Sequence, residues 1–127
     1  MRGKVLVDTH TLVWALSDSS RLSEVARAAV TSSEVVVSVA ILWELLLKKG
    51  KTDCLLADPL PWWNRYVIRS GIPVLSIRNT HVATLDALPE IHKDPFDRIL
   101  LAQAIVEKTP FVTKDSSLAA YGVRLIW

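Results

Sequence analysis

Short runs of β-branched and aliphatic residues recur along the chain, and longer stretches with helical spacing separate them. Lys4–Val7 predicts a first buried strand, and Thr9–Ser17 a short helix directly behind it. Ser23 is a suitable N-cap for a helix to about Ser32, with Val25, Ala26, Ala29 and Val30 as its apolar stripe. Val35–Val37 predicts a second strand, followed by a helix from Val39 to Lys49 that Gly50 ends. Pro59 or Pro61 opens a helix carrying Trp62, Trp63 and Tyr66, with Gly71 closing it. Val74–Ile77 predicts a third strand, and Asn79 caps a helix ending near Leu88 and Pro89. Asp94-Pro95 begins the clearest helix, Pro95 to Lys108. Phe111–Thr113, a short helix over Ser116–Ala120, and a last strand at Val123–Ile126 complete the pattern.

Strands that alternate with helices form βαβ units, and these build a parallel sheet with helices on both faces. The expectation is one α/β domain over residues 1–127, since 127 residues suffice for one core and not for two ordinary domains. Half of the residues are hydrophobic, and 22% are charged. The formal net charge of +2 gives no basic footprint and leaves nucleic-acid binding open. Cys54 is the sole cysteine, which excludes an internal disulfide and a thiolate zinc cage. Asp8 interrupts the N-terminal apolar run, and no stretch approaches the roughly 20 apolar residues of a membrane span. A cytoplasmic protein is the resulting expectation.

Open α/β sheets place their sites at the carboxyl ends of strands. Asp8 follows the first strand there, and Asp115 the fourth. Glu44 lies one or two turns into the helix after the second strand, while Asp94 and Asp97 open the helix leading to the fourth. If the first, second and fourth strands are neighbours, these acids share one edge. Each has a plainer reading as well. Asp8, Asp94 and Asp115 can cap the helices that follow them. Glu44 and Lys48 have the i, i+4 spacing of a surface pair. Caps do not explain why all the acids fall at one end of the sheet, where their mutual repulsion would be relieved by a divalent cation. Carboxylates without cysteine suit hard ions such as Mg²⁺ or Mn²⁺.

Val5-Leu6-Val7-Asp8-Thr9-His10, Val37-Ser38-Val39-Ala40 leading to Trp43-Glu44, His92-Lys93-Asp94-Pro95-Phe96-Asp97-Arg98 running into Leu101-Ala102-Gln103-Ala104, and Val112-Thr113-Lys114-Asp115 together resemble PIN-domain proteins. The similarity is greatest to the VapC-type toxins of prokaryotic toxin–antitoxin pairs, and it runs in order to Gly122-Val123. The resemblance implies a three-layer α/β/α sandwich with a five-stranded parallel sheet. It also implies a Mg²⁺- or Mn²⁺-dependent ribonuclease in which metal-activated water attacks a phosphodiester. By motif, Asp8, Glu44, Asp97 and Asp115 match the four catalytic acids. Asp8 and Asp97 are the expected direct ligands, with Glu44, Asp115 and Asp94 as further candidates. Thr9 and Thr113 match supporting hydroxyls, and Arg98 either holds a phosphate or orients a carboxylate. A homodimer bound to a small VapB-type antitoxin that covers the acidic cleft is the implied assembly.

The alternative is a catalytically silent module of the same fold that binds RNA or an antitoxin, and DNA is the alternative substrate. A receiver domain is disfavoured, because it wants paired acids after the first strand and another after the third. An aspartate-nucleophile phosphatase wants an acid where His10 stands. His10, His81 and His92 lack metal-ligand spacing and read as local hydrogen-bonding groups. Lys48, Lys49 and Lys51 read as a solvated helix end or an RNA-backbone contact. The Trp62-Trp63 pair and the Cys54 region are assigned to packing or to a partner surface.

Overall fold

Val5, Leu6 and Val7 are all buried in strand β1 (Lys4–Val7), as continuous apolar runs must be when a strand is covered on both faces. The computed structural model describes residues 2–90 and 93–127, so His92 lies outside the described residues. The other strands are β2 (Glu34–Ser38), β3 (Val74–Leu75), β4 (Phe111–Val112) and β5 (Leu125–Ile126). All pair in parallel, in the order β3-β2-β1-β4-β5. The helices are α1 (Thr9–Ser17), α2 (Glu24–Ser32), α3 (Val39–Leu47), α4 (Pro59–Trp63), α5 (Asn79–Thr84) and α6 (Pro95–Glu107).

The first, second and fourth strands are therefore neighbours, with β1 in the centre. The chain moves outward from β1 through β2 to β3, then crosses back to β4 on the other side. Right-handed crossovers in opposite directions send helices to opposite faces of the sheet. The place where the direction reverses, between β1 and β4, is where such folds open a crevice at the carboxyl edge. Leu6 pairs with Phe111 and Val7 with Val112, so Asp8 and Thr113 leave this crevice side by side. Phe111, Leu101, Leu118, Ile41 and Val37 are fully buried around the central strands. Burial of such side chains stabilises the fold by about 1.5–3 kcal/mol each.

Several boundaries depart from the sequence pattern. The third strand stops at Leu75, the fourth at Val112, and the fifth begins only at Leu125. Each pairs over two residues, too few for an apolar run to delimit. The helix after the second strand ends at Leu47, with Lys48 as its C-cap and Gly50 at φ +77° beyond it. Arg78 caps α5, and Asn79 is its first residue; a 3-10 turn at Leu85–Ala87 follows instead of a continuous helix. Pro59 opens α4, which passes into a π-helical turn at Asn64–Ile68 before Gly71 ends the segment at φ +75°. Val25 is 58% exposed, so α2 faces the core with Ala26 and half-buried Ala29 and Val30. Trp63 is buried and Trp62 only partly so, while Cys54 donates its thiol to the Leu56 carbonyl at 2.9 Å.

His81, fully buried, joins α5 to α6. Its Nδ1 accepts from the Arg78 amide at 3.0 Å, and its Nε2 lies 3.0 Å from Glu107 Oε2. That hydrogen bond, with the Arg78 charge beside it, holds the Glu107 carboxyl below the usual range. This is the local hydrogen-bonding role expected of a histidine without metal-ligand spacing. Among the described residues, no helix is long and apolar enough to cross a membrane.

Candidate functional site

Asp8 begins the site because β1 ends there. Its backbone N–H still pairs with the Val112 carbonyl at 3.3 Å, while its side chain caps α1. Oδ1 accepts the Thr11 N–H at 2.9 Å, and Oδ2 accepts the Thr113 hydroxyl at 2.6 Å. Thr113, itself buried, also accepts the Asp115 N–H at 3.2 Å. One hydroxyl thus fixes both acids that emerge from the two central strands. Asp115 in turn caps the turn at Ser116–Tyr121 by accepting the Ser117 N–H at 3.1 Å.

Glu44 projects from α3 and is 6% exposed. It is not a surface group, and a buried carboxylate needs partners. Its Oε1 accepts the Thr9 hydroxyl, and its Oε2 accepts the Lys48 ammonium at 2.7 Å. Burial disfavours the charge of Lys48. The Glu44 hydrogen bond and the charges of Glu44, Asp53 and Asp94 outweigh that cost and raise the Lys48 pKa above its ordinary value. The i, i+4 pair foreseen from spacing exists, in a drier setting than a helix surface.

Asp94 is the N-cap of α6. Its Oδ1 accepts the amides of Phe96 at 2.8 Å and Asp97 at 3.1 Å, with Pro95 in the first turn. Asp97 follows in that first turn, where the helix dipole favours a negative charge. Asp8, Glu44, Asp94, Asp97 and Asp115 all line one open cleft of about 410 Å³, together with Thr9, His10, Trp14, Lys48 and Lys114. All five candidate acids and Thr9 therefore meet, and Thr113 supports Asp8 within the same group.

Arg98 takes another direction. It does not line the cleft, and its guanidinium donates to the carbonyls of Pro89 at 2.9 Å and of Leu85 and Leu88 at 3.4 Å. Those bonds tie the α5–α6 connection to the start of α6. Four cleft residues were not placed there from sequence: Lys48, Lys114, His10 and Trp14. Lys48 was legible as Glu44+4 and Lys114 as the neighbour of Asp115. The aromatic wall had no signal beyond its position on the first helix. His10 meets Trp14 edge-on at 5.5 Å, and Arg21 stacks over Trp14 at 4.6 Å.

The donor set is made only of hard oxygens. Among the described residues, no three His, Cys, Asp or Glu side chains are grouped to hold an ion by themselves. Such a site fits Mg²⁺, which keeps several of its waters and is commonly held by only one or two carboxylates. It does not fit the closed multi-ligand cage of a structural zinc ion.

Comparison with known proteins gives a consistent result. The PIN domain family matches residues 5–123. A relative named Ribonuclease VapC22, from Mycobacterium tuberculosis, is 31% identical over 119 residues, covering 92% of this chain and 91% of that protein. The crystal structure of VapBC2 from Rickettsia felis bound to a DNA fragment from their promoter is similar at a TM-score of 0.68 and 13% identity, over 96% of both chains. The crystal structure of FitAcB from Neisseria gonorrhoeae is similar at 0.66 and 18% identity, over 95% of both chains. At those identities the structural likeness speaks for the fold.

Proposed function

The chain belongs to the PIN domain family, and from that premise we propose that it is a metal-dependent endoribonuclease acting as the toxin of a VapBC-type toxin–antitoxin pair. The observation that carries this reading is the meeting of Asp8, Glu44, Asp94, Asp97 and Asp115 on one cleft at the carboxyl edge of the sheet. The 31% identical relative named as a ribonuclease supports RNA as the substrate. A bound Mg²⁺ or Mn²⁺ would lower the pKa of water for attack on phosphorus and stabilise the departing oxygen.

The chain's own residues divide the work. Asp8 and Asp97 would hold the ion, and Asp115 and Asp94 would complete the negative field around it. Thr113 fixes the Asp8 carboxylate, and Thr9 fixes Glu44. His10 and Trp14 offer an aromatic wall of the kind on which unpaired bases stack. Arg98 acts by holding the loop before α6 in place, which sets the position of Asp94 and Asp97. Structural neighbours that are toxin–antitoxin complexes support a small VapB-type antitoxin as partner, and a homodimer belongs to the same reading.

The test is cleavage of structured RNA and of DNA by the purified chain in Mg²⁺, Mn²⁺ or EDTA, beside Asp8→Asn and Asp97→Asn. Each substitution should lower the rate by at least about a hundredfold, and EDTA should abolish cutting. RNA binding without cutting, by metal-loaded protein and over a broad panel, would instead establish the silent-module alternative.

A further inference from the structure

Two lysines line a cleft with five carboxylates, and they differ in one respect. Lys114 is exposed on its rim. Lys48 reaches inward to Glu44 Oε2 at 2.7 Å and lies 3.6 Å from Asp53 Oδ2. Because Thr9 donates to Glu44 Oε1, both Glu44 oxygens have a protein donor. Glu44 is also the buried acid of the set, and a buried carboxylate that loses its cation is strongly destabilising.

We infer that Lys48 is the built-in counter-charge of the cleft: it neutralises Glu44, keeps that acid in an outer position, and competes with the divalent ion for it. This rests on the metal-dependent nuclease reading. Glu44 then orients water or substrate and does not ligate the ion directly, while Asp8 and Asp97 remain the ligands. The protein can assemble the acidic cleft without metal because one cation is already supplied from α3. Lys48 is a positioning residue, acting through Glu44.

The opposite role, a conventional orienting partner of a metal ligand, predicts the opposite sign. Loss of such a partner weakens metal binding by roughly 10–100-fold. Loss of a competing counter-charge tightens it. Lys114→Met removes the same charge from the same cleft without touching Glu44, and so measures the general electrostatic contribution.

The experiment is titration of the purified full chain with Mn²⁺ by calorimetry, with thermal melts in EDTA and in saturating Mn²⁺. The variants are Lys48→Met, Lys48→Arg and Lys114→Met. Lys48→Met should bind Mn²⁺ about tenfold tighter than wild type, a single unit charge at close range accounting for that much. It should also melt about 5 °C or more lower in EDTA and recover most of that shift in Mn²⁺. Lys48→Arg should stay near wild type, and Lys114→Met should tighten binding less than Lys48→Met. Unchanged or weaker Mn²⁺ affinity in Lys48→Met, or equal tightening in Lys114→Met, overturns the inference. If Lys48→Met does not fold, the Glu44→Gln/Lys48→Met double variant must fold, because its buried charge is gone; failure there also overturns it. Wild-type protein that binds no Mn²⁺ would remove the metal reading itself, and this inference with it.

Discussion

Asp8 has a structural duty before any chemistry. One oxygen caps α1 and the other takes the Thr113 hydroxyl, so its carboxylate is held from both sides. Thr113 is the more informative residue to change, because it bears no charge and is buried beneath the cleft. Thr113→Val keeps the shape, leaves Asp8 Oδ2 without that donor and removes the hydroxyl acceptor of the Asp115 N–H. The expected stability loss is about 1–3 kcal/mol, read by urea unfolding. The expected drop in cleavage rate at saturating Mn²⁺ is about 10–100-fold, with Thr113→Ser close to wild type. A Val variant that cuts normally would show that Asp8 needs no such support. Four of the five acids were legible in the sequence because each follows a strand or opens a helix, places that topology alone brings together, and Glu44 was legible as the one acid in the apolar helix after β2. The division of their duties was not. Spacing placed Lys48 one turn from Glu44 and suggested a surface pair, and only tertiary burial of Glu44 by the neighbouring elements makes it a part-buried ion pair. Arg98 left both of its sequence readings open, and its guanidinium meets backbone carbonyls that no linear pattern reveals.

At the scale of elements, α6 shows how a cap and a site can occupy the same few residues. Asp94 satisfies two amides of the first turn while its carboxylate lines the cleft. Removal of the cap and removal of the charge are separable. Asp94→Asn keeps an N-cap oxygen and should stay within roughly 0.5 kcal/mol of wild-type stability, whereas Asp94→Ala should lose about 1 kcal/mol. Chemical denaturation of the two variants decides it, and equal losses would mean that Asp94 stabilises α6 by charge alone. The long helices and the two long strands were readable because periodicity, caps and prolines agreed at Asp94-Pro95, Ser23 and Val5-Leu6-Val7. The short edge elements were not. Val74–Leu75 and Leu125–Ile126 are strands only because a neighbour offers hydrogen bonds over two residues, a condition set by the partner strand. Trp14 likewise packs against Arg21, seven residues on, and against Trp127 at the other end of the chain, contacts that no periodicity along the first helix reveals.

For the molecule as a whole, the net charge is only +2, yet the candidate site sets five carboxylates against two lysines. An RNA backbone approaching this cleft meets repulsion unless a cation is present. An ordinary basic binding surface behaves the other way: divalent ions compete for the phosphates and weaken the complex, as added salt does. The sign of the divalent effect therefore discriminates between the two kinds of RNA contact. For this chain, anisotropy of a short labelled RNA should show weak binding in EDTA and binding at least about tenfold tighter with Ca²⁺, a hard cation that accepts carboxylate and phosphate oxygens together. Asp8→Asn/Asp97→Asn should lose most of that gain, since it removes the two proposed ligands. Binding that weakens on addition of Ca²⁺ would locate the RNA on another face of the molecule, with Lys49, Lys51 and the other exposed cations as its contacts. The acidic cleft would then have to act without anchoring the substrate, which a nuclease that positions its phosphodiester between a cation and a carboxylate cannot do.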